Sequence, residues 1–124
     1  FFMCNHCPYV IHLIEPLVKT AKKYLSKKIN TIAISSNSIK THPQDGPEEM
    51  QKFALDKNFS FPYLYDETQE IAKKYNAACT PDFYLFDNNL KLIYRGRYDE
   101  SRPGNEKTIT GTDLHNALDH LLIN

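Results

Sequence analysis

Apolar residues recur along the first part of the chain at helical spacing and along the later part at strand spacing. Val10, Leu13, Ile14, Leu17, Val18, Ala21, Tyr24 and Leu25 line one side of a 3.6-residue period, which predicts a long helix. Phe1 to Met3, just ahead of it, reads as the end of a buried strand, and Ile29 to Ser35, with Ile32 and Ile34, as a second strand. Pro8 suits a helix first turn, whereas Pro16 lies inside the helix and is expected to kink it. Ser36 to Gly46 is polar and reads as a loop. Pro47-Glu48-Glu49 then has the proline and acids of a helix start, continuing to about Lys57. Asp66 followed by Gln69 resembles a capping box for a short helix through Tyr75.

Beyond Pro81 the period shortens. Phe83 and Leu85 on one side, and Leu90, Leu92 and Tyr94 on the other, flank Asn88-Asn89, a pair that tolerates positive φ, so a tight hairpin is expected. Arg95 to Gly111 is polar and reads as a surface loop, after which Thr112 caps a helix with Leu114, Ala117, Leu118, Leu121 and Leu122 on its apolar face. A parallel βαβ half joined to a ββα half gives an α/β domain over residues 1–124, a mixed central sheet flanked by helices. Strands usually run about 5–6 residues, so a strand ending at Met3 suggests a fragment of a longer chain whose N-terminal strands are missing.

Composition narrows the functional classes. Lys plus Arg equals Asp plus Glu at 15 each, so no long-range field attracts nucleic acid or an acidic membrane. No apolar run approaches the roughly 20 residues that span a bilayer. Lys22, Lys23, Lys27 and Lys28 read as the wet face of a helix. Three cysteines are too few and too odd in number for a disulfide scaffold, so their thiols are expected to be chemical rather than structural. The expected compartment is the cytoplasm, with a periplasmic or secreted setting left open, and no cofactor is called for.

Cys4-Asn5-His6-Cys7 carries the chemistry. Two thiols in this spacing at a helix start form a redox pair, the first sulfur exposed near the unpaired N–H groups that favour thiolate. By this reading Cys4, the least enclosed, attacks a substrate disulfide and Cys7 resolves the mixed disulfide. His6 between them would favour the Cys4 thiolate and make the pair more oxidising. The same spacing also supplies half of a metal site, in which Cys4, Cys7, His6 or His12 would bind zinc or copper. His42, His115 and His120 have no clustered partners in sequence and read as surface residues.

Phe2-Met3-Cys4-Asn5-His6-Cys7 leading into a long helix, with Thr80-Pro81 before the strand Asp82-Phe83-Tyr84-Leu85-Phe86 and a hairpin, resembles the thioredoxin fold. More narrowly, Cys4 to Val10, Cys79-Thr80-Pro81-Asp82-Phe83 and Gly96 to Asn105 resemble the peroxiredoxin-like (AhpC/TSA-like) redoxins with a thioredoxin domain. The resemblance implies that Pro81 is a cis-proline facing the Cys pair. Cys79 would then lie near Cys4 and Cys7, as a third redox thiol or as a small buried hydrophobe. It also implies that Cys7, followed by Pro8, matches the peroxidatic position, although peroxiredoxins carry a threonine where this chain has Cys4. Arg95, Arg97 and Arg102 are candidates for the missing guanidinium. The expected partners are a protein or small-molecule disulfide or peroxide and a thiol reductant system, in an oligomeric state the residues do not specify. A thiol peroxidase, a metal-binding module and a redox-inert scaffold remain as rival functions.

Overall fold

The computed structural model describes residues 1–123. In chain order it contains α1 (Pro8–Leu25), β1 (Ala33–Ser35), a 3-10 turn (Pro43–Asp45), α2 (Pro47–Asp56), β2 (Tyr63–Tyr65), α3 (Glu70–Tyr75), β3 (Phe83–Phe86), β4 (Leu92–Gly96) and α4 (Thr112–Ile123). β1 and β2 pair in parallel, Ala33 opposite Tyr63. β3 and β4 pair antiparallel, Phe83 opposite Gly96. Phe2 joins the two pairs by bridging Ile34 in parallel and Asp82 antiparallel. Met3 N–H donates to the Ile34 carbonyl at 2.9 Å and Phe2 N–H to the Asp82 carbonyl at 3.0 Å, so the segment before the cysteines is held on both edges.

Side-chain alternation then assigns the faces. Phe83 and Leu85 pack with Leu13, Leu17 and Tyr24 of α1 and with Leu114 and Leu118 of α4. Tyr84 points the other way, where Tyr75 of α3 meets the rings of Phe2, Tyr84 and Phe86. Helices therefore cover both sides of a mixed sheet, as the apolar pattern predicts. Each large side chain that α1 buries contributes about 1.5–3 kcal/mol of transfer free energy. Among the described residues no helix is long and apolar enough to cross a membrane.

The structure departs from expectation at several places. α1 runs through Pro16 as one helix. β2 is an additional strand, short and only partly buried. At the second short helix Asp66 does cap, accepting from Ile71 N–H and Ala72 N–H, but Gln69 reaches Ser36 rather than closing the box. In the hairpin the positive φ falls on Leu90 and not on the asparagines, because Asp87 accepts from Asn89 N–H and Lys91 N–H and so fixes the turn. Arg95 and Gly96 belong to β4. Thr112 lies inside α4; the residue before it is Gly111, at φ +67, where a Cβ would come within 2.6 Å of the Tyr98 ring.

His115 is a further correction. It is half-buried between α1 and α4, where Thr20 Oγ1 lies 2.9 Å from its Nε2 and 2.7 Å from the Tyr98 hydroxyl. Burial first, and then nearby Lys23, hold its imidazole below the ordinary value of 6.5. The unfolded chain therefore takes up the proton more readily than the native one. The stability this site contributes is present above about pH 6.5 and is lost as pH falls below it. Melting temperatures measured across that window should fall more for the wild type than for His115→Gln; equal slopes would contradict this account.

Candidate functional site

Strand pairing carries the chain as far as Met3, and α1 begins only at Pro8, so residues 4–7 form the connection between them. Pro8 suits the first helical position because its ring presets φ and the absent N–H has no partner there. Cys7 is consequently the residue that caps α1, its carbonyl accepting from Val10 N–H and Ile11 N–H at 3.0 Å each. Cys4 remains at the sheet end, 2% exposed, whereas Cys7 is half-buried.

This inverts the exposure expected of the two sulfurs. Burial pushes the Cys4 thiol above its ordinary value; the Thr80 hydroxyl partly opposes the shift, and the charge of Asp45 adds to it. The depressed value expected of a thiol exposed at a helix start does not apply to Cys4. The residues still converge. Cys4 Sγ lies 3.8 Å from Thr80 Oγ1, and Cys7 Sγ donates to the Thr80 carbonyl at 3.6 Å. The Thr80–Pro81 bond is cis. Cys4, Cys7, Thr80 and Pro81 thus share one site. Cys79 is exposed, with its sulfur 4.0 Å from the Pro81 carbonyl; partial desolvation of that sulfur, and then the nearby Asp82 charge, raise its thiol.

Sequence reasoning missed Asp45. Its carboxylate is 0% exposed in the 3-10 turn and accepts from Asn5 N–H at 2.8 Å, His6 N–H at 3.3 Å and Asn37 Nδ2 at 3.0 Å. His6 Nδ1 lies against Asp45 Oδ2, and its ring stacks on His42 at 4.6 Å. His6 is therefore engaged with Asp45 as well as near Cys4, and His42 has a clustered partner after all. Cys4 Sγ, a His6 ring nitrogen and an Asp45 oxygen all lie within 4.8 Å of one another. His12 is absent from that cluster; its Nε2 sits 2.5 Å from Ser101 Oγ. The signal for Asp45 was faint: an acid between Pro43 and Gly46, in a stretch otherwise read as surface.

The guanidinium candidates divide. Arg95 pairs with Asp82 at 3.1 Å and Arg97 with Asp113 at 2.5 Å, so both are already engaged by acids. Arg102 lines a groove of about 400 Å3 with Tyr9, Cys79, Thr80 and Pro81.

A family model described as the AhpC/TSA family matches residues 1–95. The structure is similar to an uncharacterized conserved protein from Geobacillus kaustophilus, 52% identical with a TM-score of 0.96, covering 98% of this chain and 65% of that one. A hypothetical protein from Sinorhizobium meliloti is 41% identical with a TM-score of 0.96, covering 98% of this chain and 67% of the other. The chain thus spans about two thirds of the length of these relatives. A protein from Neisseria meningitidis provisionally described as a thioredoxin shares the fold, at 18% identity and a TM-score of 0.76 over 99% of this chain and 72% of that one. No curated protein sequence matches.

Asp45 anchors two loops by accepting from three part-buried donors. An unsatisfied buried donor costs about 1–3 kcal/mol, so Asp45→Ala should lose at least about 2 kcal/mol of unfolding free energy in a denaturant titration. A loss below about 0.5 kcal/mol, the range of ordinary surface changes, would contradict the anchoring role.

Proposed function

The chain belongs to the AhpC/TSA family of thioredoxin-fold redoxins, which implies thiol-based redox chemistry, and on that premise we propose a thiol–disulfide oxidoreductase in which Cys7 attacks and Cys4 resolves. The observation that carries this reading is the position of Cys7, half-buried at the start of α1 with its sulfur on the Thr80 carbonyl, while Cys4 is enclosed behind it. The roles are the reverse of those expected from spacing. A buried thiol is a poor first nucleophile towards a bulky substrate, but it can attack a disulfide delivered to its neighbour.

The proposed reaction proceeds in two exchanges. Cys7 thiolate attacks one sulfur of a substrate disulfide; the substrate S–S bond breaks and one substrate thiolate leaves. Cys4, as thiolate, then attacks Cys7 Sγ, which breaks the mixed disulfide, forms Cys4–Cys7 and releases the second substrate thiol. The substrate has gained two electrons and the protein has lost them, and an external dithiol restores the pair. The groove beside Pro81 is the proposed substrate seat.

A second reading has its own support, the Cys7-Pro8 step at the helix start in a chain of this family. In a peroxidase, Cys7 thiolate would attack one peroxide oxygen, the O–O bond would break and the other oxygen would leave as hydroxide or alkoxide. The resulting sulfenic acid would condense with Cys4 and release water. Two of the three candidate arginines are already paired with acids, which weakens this alternative.

Insulin-disulfide reduction driven by dithiothreitol separates the readings. The wild type should catalyse it, Cys7→Ser should abolish it, and Cys4→Ser should accumulate a mixed disulfide at Cys7 visible in the intact mass. Reduction that survives Cys7→Ser, or peroxide consumption without disulfide reduction, would overturn the proposal.

A further inference from the structure

The cluster around Asp45 has a chemistry that disulfide exchange does not use. It places a sulfur, an imidazole nitrogen and a carboxylate oxygen within 4.8 Å of one another, on residues of which Cys4 and Asp45 are buried. Buried carboxylates are ordinarily paired with a cation or bound to a metal. Among the described residues no Lys or Arg forms an ion pair with Asp45; the basic group against it is the His6 ring.

The same grouping is marked in the hydrogen bonding. Among the described residues, two buried side-chain nitrogen or oxygen atoms lack a directional hydrogen bond, His6 Nδ1 and Ser35 Oγ. His6 Nδ1 is shielded from solvent and in ion-pair contact with Asp45 Oδ2.

We propose that Cys4, His6 and Asp45 form a binding site for a zinc-class divalent cation, with the fourth position open. Thiolate, imidazole and carboxylate are the ligands zinc takes, and three protein ligands with an open position is the pattern of reactive rather than purely structural sites. Ligand atoms about 3.5 Å apart suit tetrahedral zinc, so the His6–Asp45 contact has to open and the widest separation, at most 4.8 Å, has to close on binding. The segment 4–7, outside regular structure, can supply these movements. The surroundings already hold the ligands in place. Asn5 N–H and His6 N–H fix one Asp45 oxygen, Asn37 Nδ2 approaches the other, and His42 stacks on the His6 ring. A groove of about 450 Å3 lined by Asn5, His6, Gln44 and Glu49 offers a path from solvent. Binding displaces the Cys4 proton and occupies its sulfur, so the loaded protein cannot close a Cys4–Cys7 disulfide.

The test is a titration of the reduced full chain with Co2+ as a spectroscopic stand-in, followed by displacement with Zn2+. One equivalent should produce tetrahedral d–d bands and a thiolate-to-cobalt charge-transfer band, which Zn2+ abolishes. Cys4→Ser should remove the charge-transfer band, and His6→Gln and Asp45→Asn should each weaken binding at least about tenfold. Cys7→Ser should bind as the wild type does while losing disulfide reduction, so failure of this inference is distinguishable from failure of the oxidoreductase reading. Circular dichroism of each variant shows whether it is folded, and the wild-type spectrum by itself decides if one is not. Absence of a charge-transfer band in the wild type, or its persistence in folded Cys4→Ser, would overturn the proposal.

Discussion

The segment Phe1 to Met3 is hydrogen-bonded on one side to Ile34 and on the other to Asp82, so the backbone enters the cysteine loop from the middle of a sheet. Central strands have no freedom to slide without breaking both ladders. That clamp keeps Cys4 at the strand end, enclosed, and leaves the chain to emerge only as α1 begins. Because Asp82 follows Pro81 directly, the same pairing sets the Thr80 carbonyl beside the thiols. The geometry of the site is thus a consequence of strand pairing.

The loop between Met3 and Pro8 would still be loose without a second attachment, and Asp45 provides it. Burying a carboxylate is unfavourable unless its lone pairs are used, and here backbone and side-chain donors from residues 5, 6 and 37 use them. The charge so retained opposes ionisation of Cys4. The same charge would draw a cation to that sulfur. A single buried acid therefore bears on both the order of thiol reactivity and the site's affinity for metal.

Much of this was legible in the sequence. The apolar face of α1, the starts of α2 and α4 near their predicted positions and the Phe83 to Tyr94 hairpin all follow from periodicity and punctuation, and the site residues Thr80 and Pro81 lie where the motif resemblance put them. β2 was not legible, because three residues show no period and their burial comes from pairing with β1 on one side. Asp45 was hidden because its burial depends on donors distant in sequence, and a polar loop looks alike whether it is solvated or folded inward. The order of exposure of the two thiols was recoverable in principle. Pro8 marks the first helical residue, which makes Cys7 the cap and leaves Cys4 to the strand; the expectation followed the spacing of the cysteines and gave the proline too little weight.

The central claim is that Cys7 faces the substrate and Cys4 lies behind it, and the most direct measurement is the rate of native-state alkylation at each cysteine, resolved by peptide mass spectrometry on the reduced, metal-free protein. Cys7 is the more accessible of the two and burial holds Cys4 as the thiol, so Cys7 should be modified at least about tenfold faster than Cys4. Equal rates, or modification of Cys4 first, would contradict the account.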